Sequence, residues 1–231
     1  MTAVFTPSLF DAVPDDTGRV AADALPTGPA DVSWAALHRT ELDERSWVDV
    51  VPGWMPGADV WFHELAVEVA WNQRRRRMFT QEIVEPRLTC GWALDEAPSP
   101  AEHLAAALVD RYREPFDRVS ANFYRDGADS VAWHGDRVRF VHPRPVVAIV
   151  SLGAPRRFGL RALAGGDTRW LTLCGGDLLV MGGRCQHEWQ HTVPKEPGAG
   201  PRISVTFRHG DRGPAGARTE RARDVPAWAL R

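Results

Sequence analysis

From Arg118 onward, apolar and polar residues alternate along the chain. A period of two marks strands with one face turned to a core. Arg118–Tyr124, Ser130–Asp136, Arg157–Arg161, Arg169–Cys174, Leu178–Met181, Trp189–Val193 and Arg202–Arg208 read as such strands. Val146–Leu152 is nearly all apolar, as a strand buried on both faces is. Arg125-Asp126-Gly127 and Gly175-Gly176-Asp177 supply turns. About eight short strands joined by Gly-rich turns predict a closed or double-sheet antiparallel architecture.

The first half of the chain is less regular. Residues 1–30, rich in Pro, Gly, Asp and Ala, read as an extended arm whose Phe5, Leu9 and Phe10 can dock on the body. Residues 31–46 predict a helix with Asp31 or Ser33 as N-cap. Residues 46–53 predict a short strand and turn, and 59–71 fit helix or strand equally. Residues 84–92 look extended. At Ser99-Pro100-Ala101-Glu102 the pattern predicts a helix start: Ser99 caps, Pro100 takes the first helical position and Glu102 closes a capping box. Leu104, Ala105, Leu108, Val109 and Tyr112 share its apolar face, and Pro115 ends it. The class expected is mainly β with flanking helices. Three segments are expected: an acidic extension over 1–70 packed on the core, a catalytic body over 71–210, and an Arg-rich tail over 211–231.

Charge divides the chain in the same way. Residues 1–70 carry twelve acids and three Arg, whereas 71–231 carry eighteen acids and twenty-five basic residues. A basic body suits a polyanionic partner such as nucleic acid. Lys195 is the one lysine, so part of the Arg excess reflects codon usage. Gln73 is followed by Arg74, Arg75, Arg76 and Arg77, a run that is either solvated surface or a phosphate-contacting patch. No apolar run is long enough for a transmembrane helix, and the N-terminus lacks a signal-peptide pattern. Three cysteines, Cys90, Cys174 and Cys185, lack paired spacing, which argues for a reducing cytoplasm, with Cys174 and Cys185 as small core residues. No membrane partner is expected, and the expected assembly is a monomer.

Candidate chemistry centres on Trp133-His134-Gly135-Asp136. On extended backbone the side chains of His134 and Asp136 point the same way and reach one spot. His191, on a later strand, is the leading third ligand; His187 lies in a turn-like stretch four residues before it. Two His and one carboxylate on one face suit non-haem Fe(II). Arg202, Ser204, Thr206 and Arg208 share a strand face, and two Arg there make poor core but a good dicarboxylate clamp. Asn122 and Tyr124 share a face of another strand. His38, His63, His103, His142 and His209 have no ligand-like spacing with this set.

Asn122-x-Tyr124, His134-x-Asp136, His191 and the Arg-x-Ser-x-Thr-x-Arg strand together resemble the AlkB family of Fe(II)- and 2-oxoglutarate-dependent dioxygenases. Ser151-Leu152-Gly153, the stretch 176–181 and the stretch 189–195 are similar too, so the resemblance covers roughly residues 73–208. It implies a double-stranded β-helix, or jelly-roll, core. It implies Fe(II) held by His134, Asp136 and His191, with O₂ as co-reactant. It implies 2-oxoglutarate held at its distal carboxylate by Arg202, with Arg208 near the metal and Asn122, Tyr124 and Ser204 lining the pocket. The implied activity is oxidative dealkylation of N-alkylated bases in nucleic-acid repair, releasing formaldehyde, succinate and CO₂.

Two positions depart from the family pattern. Ser204 stands where Asn is usual, which shortens the reach of a pocket group. Val138 stands where repair enzymes often carry an acidic residue that reads the base edge. That keeps open the same chemistry on RNA, on a protein or on a small molecule. A non-catalytic binding module is a further alternative, against which the five-residue set His134, Asp136, His191, Arg202 and Arg208 argues. A flipped or single-stranded base needs an aromatic platform. Of the ten Trp, Trp92 is the stacking candidate; Trp133 and Trp189 are assigned to packing.

Overall fold

The computed structural model describes residues 31–78, 81–136 and 142–209. The extended arm, Val138 and the Arg-rich tail lie outside them. In chain order the elements are β1 (His38–Glu41), β2 (Ser46–Val51), α1 (Ala58–Glu68), β3 (Arg75–Met78), β4 (Gln81–Val84), β5 (Leu88–Ala93), α2 (Ala101–Tyr112), β6 (Arg118–Tyr124) and β7 (Val131–His134). There follow β8 (Val147–Gly153), β9 (Arg156–Ala162), β10 (Arg169–Leu173), β11 (Leu178–Gly183), α3 (Cys185–Glu188), β12 (Trp189–Val193) and β13 (Arg202–Arg208).

These strands form a seven-stranded sheet, in the order β1-β2-β11-β8-β13-β6-β5, facing a four-stranded sheet, β10-β9-β12-β7. All the pairings are antiparallel, giving the jelly-roll arrangement that the strand pattern and the family resemblance implied. β3 and β4 form a separate hairpin.

The alternation in each strand decides which core it enters. On β8, Ala148, Val150 and Leu152 join Ile203, Val205 and Phe207 of β13 under α1 and α2. Val147 and Ile149 point the other way, into a second core between the sheets with Phe158, Leu160, Leu173 and Leu179. The nearly all-apolar pattern of residues 146–152 is thus a strand with core on both faces. Trp61 and Leu65 of α1 and Leu104 and Leu108 of α2 anchor the helical cover, each side chain worth about 2 kcal/mol of burial.

Residues 31–46 are not a helix. They form a turn followed by β1, which pairs with β2. The sheet edge gives Arg39 a buried partner that no helix there would: its guanidinium makes two hydrogen bonds, 2.7 and 2.8 Å, to Asp49 of β2. Tyr112 of α2 donates to the same carboxylate. The stretch left open at 59–71 is helical over Ala58–Glu68. Residues 38–68 therefore belong to the large sheet and its helical cover.

The start of α2 also differs from the capping-box expectation. Pro100, not Ser99, is the N-cap, and no side chain caps the helix. The carbonyls of Pro98 and Pro100 accept from the backbone N–H groups of Ala101 and Leu104 instead. The helix ends before Pro115 takes effect, at Arg113 in the left-handed conformation, whose N–H bonds Val109. Cys185 is buried as expected, whereas Cys174 is exposed because it follows β10 into the turn.

Candidate active site

β7 and β12 are neighbours in the smaller sheet, and His134 lies directly opposite His191 in their register. Their rings are 4.2 Å apart. The strand expected to run through Asp136 stops at His134, so simple alternation does not place the carboxylate. The Asp136 N–H instead donates to Gln186 Oε1 (2.9 Å), a side chain 1% exposed on α3. One donor atom each from His134, Asp136 and His191 lies within 4.8 Å of the others.

The protonation of these groups suits a cation. The Ala132 carbonyl, which can only accept, lies 2.9 Å from His134 Nδ1, so Nδ1 donates there and Nε2 is the nitrogen left for a ligand. Burial, then the neighbouring His134, pushes the His191 imidazole down to about 3, which keeps it neutral. Asp136 Oδ1 accepts from Arg208 Nη1 at 3.3 Å, and Arg208 Nη2 donates to Ser120 at 2.6 Å. Arg208 thus links the carboxylate on the small sheet to the inner face of the large one.

At the other end of β13, Arg202 is 1% exposed. Its Nε donates to Ser151 at 2.9 Å, whereas its buried Nη1 has no hydrogen-bond partner among the described residues. Burial lowers this guanidinium to about 10, against the neighbouring Tyr124, which favours the cation. A buried donor left unsatisfied costs about 1–3 kcal/mol, and more for a charged group. A carboxylate would satisfy it. Tyr124 sits opposite Arg202 and Asn122 opposite Ser204 in the β6–β13 register. Tyr124 is buried, which raises its phenol above the usual range. Asn122 Oδ1 already accepts from Arg87 Nε (3.1 Å), leaving its amide N–H groups for a ligand.

The structure brings together the three metal candidates, and it lines up Asn122, Tyr124, Arg202, Ser204 and Arg208 on adjoining strands. It does not bring Trp92 to them. Trp92 is in register with Val119, so it faces the helical side and packs against that core. Ser120 and Asn122, the neighbours of Val119 and Ala121, face the other way. Arg74 and Arg75 are exposed at the start of the β3–β4 hairpin; for Arg76 and Arg77 only the backbone is described. Trp189 packs in the core between the sheets and donates to Asp43 (2.6 Å).

Three contributors were missed from sequence. Gln186 lies on a helix of four residues, too short to show a period. Arg87 precedes a strand and has no pattern partner. Arg156 was legible: extending the alternation of 157–161 by one residue puts it on the face of Phe158 and Leu160. It is 1% exposed, and its guanidinium donates to the carbonyls of Asp126, Asp129 and Pro194. A second trio, Glu114, His142 and His209, is also gathered within 4.8 Å, which sequence spacing did not indicate.

Residues 56–208 match the family model of the 2OG-Fe(II) oxygenase superfamily. The chain is 33% identical over 207 residues to a mouse protein named alpha-ketoglutarate-dependent dioxygenase alkB homolog 3, covering 78% of this chain and 67% of that one. It is 29% identical over 212 residues to the Arabidopsis thaliana DNA oxidative demethylase ALKBH2, covering 73% and 68%. Among solved structures it is similar in fold to OsALKBH1, with a TM-score of 0.54, 14% identity, and 75% of this chain and 100% of that one covered. A Pseudomonas putida prolyl-4-hydroxylase is similar in fold at a TM-score of 0.52 and 19% identity, covering 72% and 93%.

Proposed function

The chain belongs to the 2OG-Fe(II) oxygenase superfamily, in its AlkB-like branch, and from that premise we propose that this dioxygenase dealkylates N-alkylated bases of nucleic acid. Its cofactors are Fe(II), 2-oxoglutarate and O₂. One observation carries the reading: a two-His, one-carboxylate cluster shares the space between the sheets with a buried guanidinium that, among the described residues, lacks a partner on one nitrogen.

His134 through Nε2, Asp136 and His191 would hold the iron. Arg202 would hold the distal carboxylate of 2-oxoglutarate, with Asn122, Tyr124 and Ser204 along the pocket and Arg208 at its metal end. When bound, iron, 2-oxoglutarate and O₂ together supply the oxidising power: the cosubstrate leaves as succinate and CO₂, and an N-methyl group leaves as formaldehyde. The protein positions and excludes water. Gln186 fixes the Asp136 backbone, and Ala132 fixes the His134 tautomer. Arg208 neutralises Asp136 from one side. Arg202, fully buried, can bind only a group that enters the pocket and sheds its water. The exposed Arg74 and Arg75 would meet phosphates of the strand that delivers the base.

Formaldehyde release from oligonucleotides bearing 1-methyladenine or 3-methylcytosine tests the substrate. Release from either supports the proposal. Succinate formation without formaldehyde, on DNA and RNA panels alike, overturns the nucleic-acid substrate while leaving the dioxygenase intact.

A further inference from the structure

The outer face of the four-stranded sheet, turned away from the iron cluster, carries a row of cations and indoles. Arg157 lies over Trp170, its Cζ 4.2 Å from the ring centre. Arg161 lies over Trp133 at 4.3 Å. The two indoles are 6.2 Å apart and tilted by 56°. They converge over Gly159, which is in register with both Trp170 and Thr192. A Cβ there would come within 2.7 Å of the Trp170 ring and 2.9 Å of the Trp133 ring, so glycine is the residue that admits this arrangement.

The row is built and accessible. Trp170 is 42% exposed, Arg157 is exposed, and Arg161 is aligned by hydrogen bonds of 3.1 and 3.4 Å to Gln190 Oε1. Neither guanidinium forms an ion pair with a carboxylate among the described residues. Glu196, at the Arg157 end, accepts the Arg157 backbone N–H and lies 3.7 Å from the buried Arg156 guanidinium. No helix packs on this face among the described residues, because α1 and α2 cover the other sheet.

We propose that the Arg157–Trp170–Trp133–Arg161 row is a binding platform for single-stranded nucleic acid, the strand flanking the base under repair. This rests on the nucleic-acid reading of the active site. Stacked guanidiniums keep their edge N–H groups for phosphates, and indole faces stack bases without regard to sequence. A duplex hides its base faces, so the ligand is a single strand. Trp133 and His134 are consecutive on β7, the edge strand of the sheet, and point to opposite faces. A strand passing around that edge reaches both platform and iron.

The test uses the full chain and a fluorescein-labelled, unmodified oligothymidylate of about 15 nucleotides, read by anisotropy. Trp170→Ala weakens binding about tenfold, and Trp170→Phe restores most of it. Arg157→Gln with Arg161→Gln lowers the salt slope by about 1.4. The KM for a long methylated oligonucleotide rises in Trp170→Ala, while turnover of a methylated trinucleotide and the anaerobic Fe(II)–2-oxoglutarate absorption band do not change. Unaltered affinity and slope in correctly melting variants, with wild-type demethylation intact, overturn the platform. So does displacement of the oligonucleotide by polyglutamate equally well from wild type and Trp170→Ala, which would mark a site for acidic chains in general. Loss of oligothymidylate binding in Trp170→Ala, beside a wild type that demethylates nothing, upholds the platform and rejects the substrate reading.

Discussion

Two clusters in this protein have the same composition, two imidazoles and a carboxylate, and the same closeness of donor atoms. They differ in what their ring nitrogens already do. In the His134–Asp136–His191 cluster, His134 commits Nδ1 to a carbonyl and keeps Nε2 for a ligand. In the Glu114–His142–His209 cluster, His209 donates from Nδ1 to Pro115 (2.6 Å) and accepts at Nε2 from the Val146 N–H (3.0 Å). Its ring is fully used. His142 stacks on it at 4.4 Å and accepts the Arg144 N–H at Nδ1. The first cluster has a ring nitrogen left for a ligand, and the second is a clasp joining the segment between α2 and β6 to Val146, just before β8. Proximity of donor types does not make a metal centre; unspent lone pairs do.

The largest effect that can break this comparison is loss of a ligand. His191→Ala is expected to lower turnover by more than about a hundredfold, beyond the range typical for residues that only orient a ligand, and to abolish the anaerobic Fe(II)–2-oxoglutarate band. His209→Ala should leave that band intact and lower thermal stability, since the Val146 N–H and Pro115 carbonyl lose their partner, a cost of about 1–3 kcal/mol. A vanished band in His209→Ala would erase the distinction.

Arg202→Met comes next. The KM for 2-oxoglutarate should rise on the order of a hundredfold, matching a lost hydrogen-bonded charge pair. The melting temperature without ligand should hold or rise, because a buried cation with an unsatisfied nitrogen is gone. Arg156→Met should do the reverse, destabilising the protein outright, since its guanidinium satisfies three loop carbonyls. A ligand-free Arg202→Met protein as unstable as Arg156→Met would remove Arg202 from the cosubstrate pocket. Gln186→Leu should weaken Fe(II) binding about tenfold, measured by titration of the band.

The smallest effect is on pH dependence. Burial, then the nearby His142, lowers the His209 pKa in the folded protein. Below the ordinary imidazole pKa of about 6.5, the unfolded chain takes up the proton first, so stability falls as pH drops. His209→Gln should flatten the melting-temperature profile of the metal-free protein from pH 7 down to 5; an unchanged slope assigns the dependence elsewhere.

The β-rich half was legible because each strand has one face in a core, and period two is visible residue by residue. The shared face of Arg202, Ser204, Thr206 and Arg208 was legible on β13, since two Arg with polar residues between them have no packing reason. Residues 31–46 were misread because β1 is an edge strand held by one ladder and the Arg39–Asp49 pair, with exposed His38 and Glu41 giving no alternation. Trp92 was misassigned because its face is set by register with Val119, a partner far along the chain. Gln186 escaped for a similar reason: its effect on Asp136 spans fifty positions of sequence, and nothing local announces it.

β13 sits between β8 and β6, in the interior of the large sheet, and is the last strand among the described residues. A ribosome therefore delivers this interior strand of the sheet after both of its neighbours. Until that strand slots in, β6 and β8 have unpaired edges facing each other, and neither Arg202 nor Arg208 exists near the histidines. On the proposed assignment, a nascent chain can carry His134, Asp136 and His191 and still lack the clamp for the oxo acid. On that assignment the order of synthesis would act as a safety catch on the chemistry.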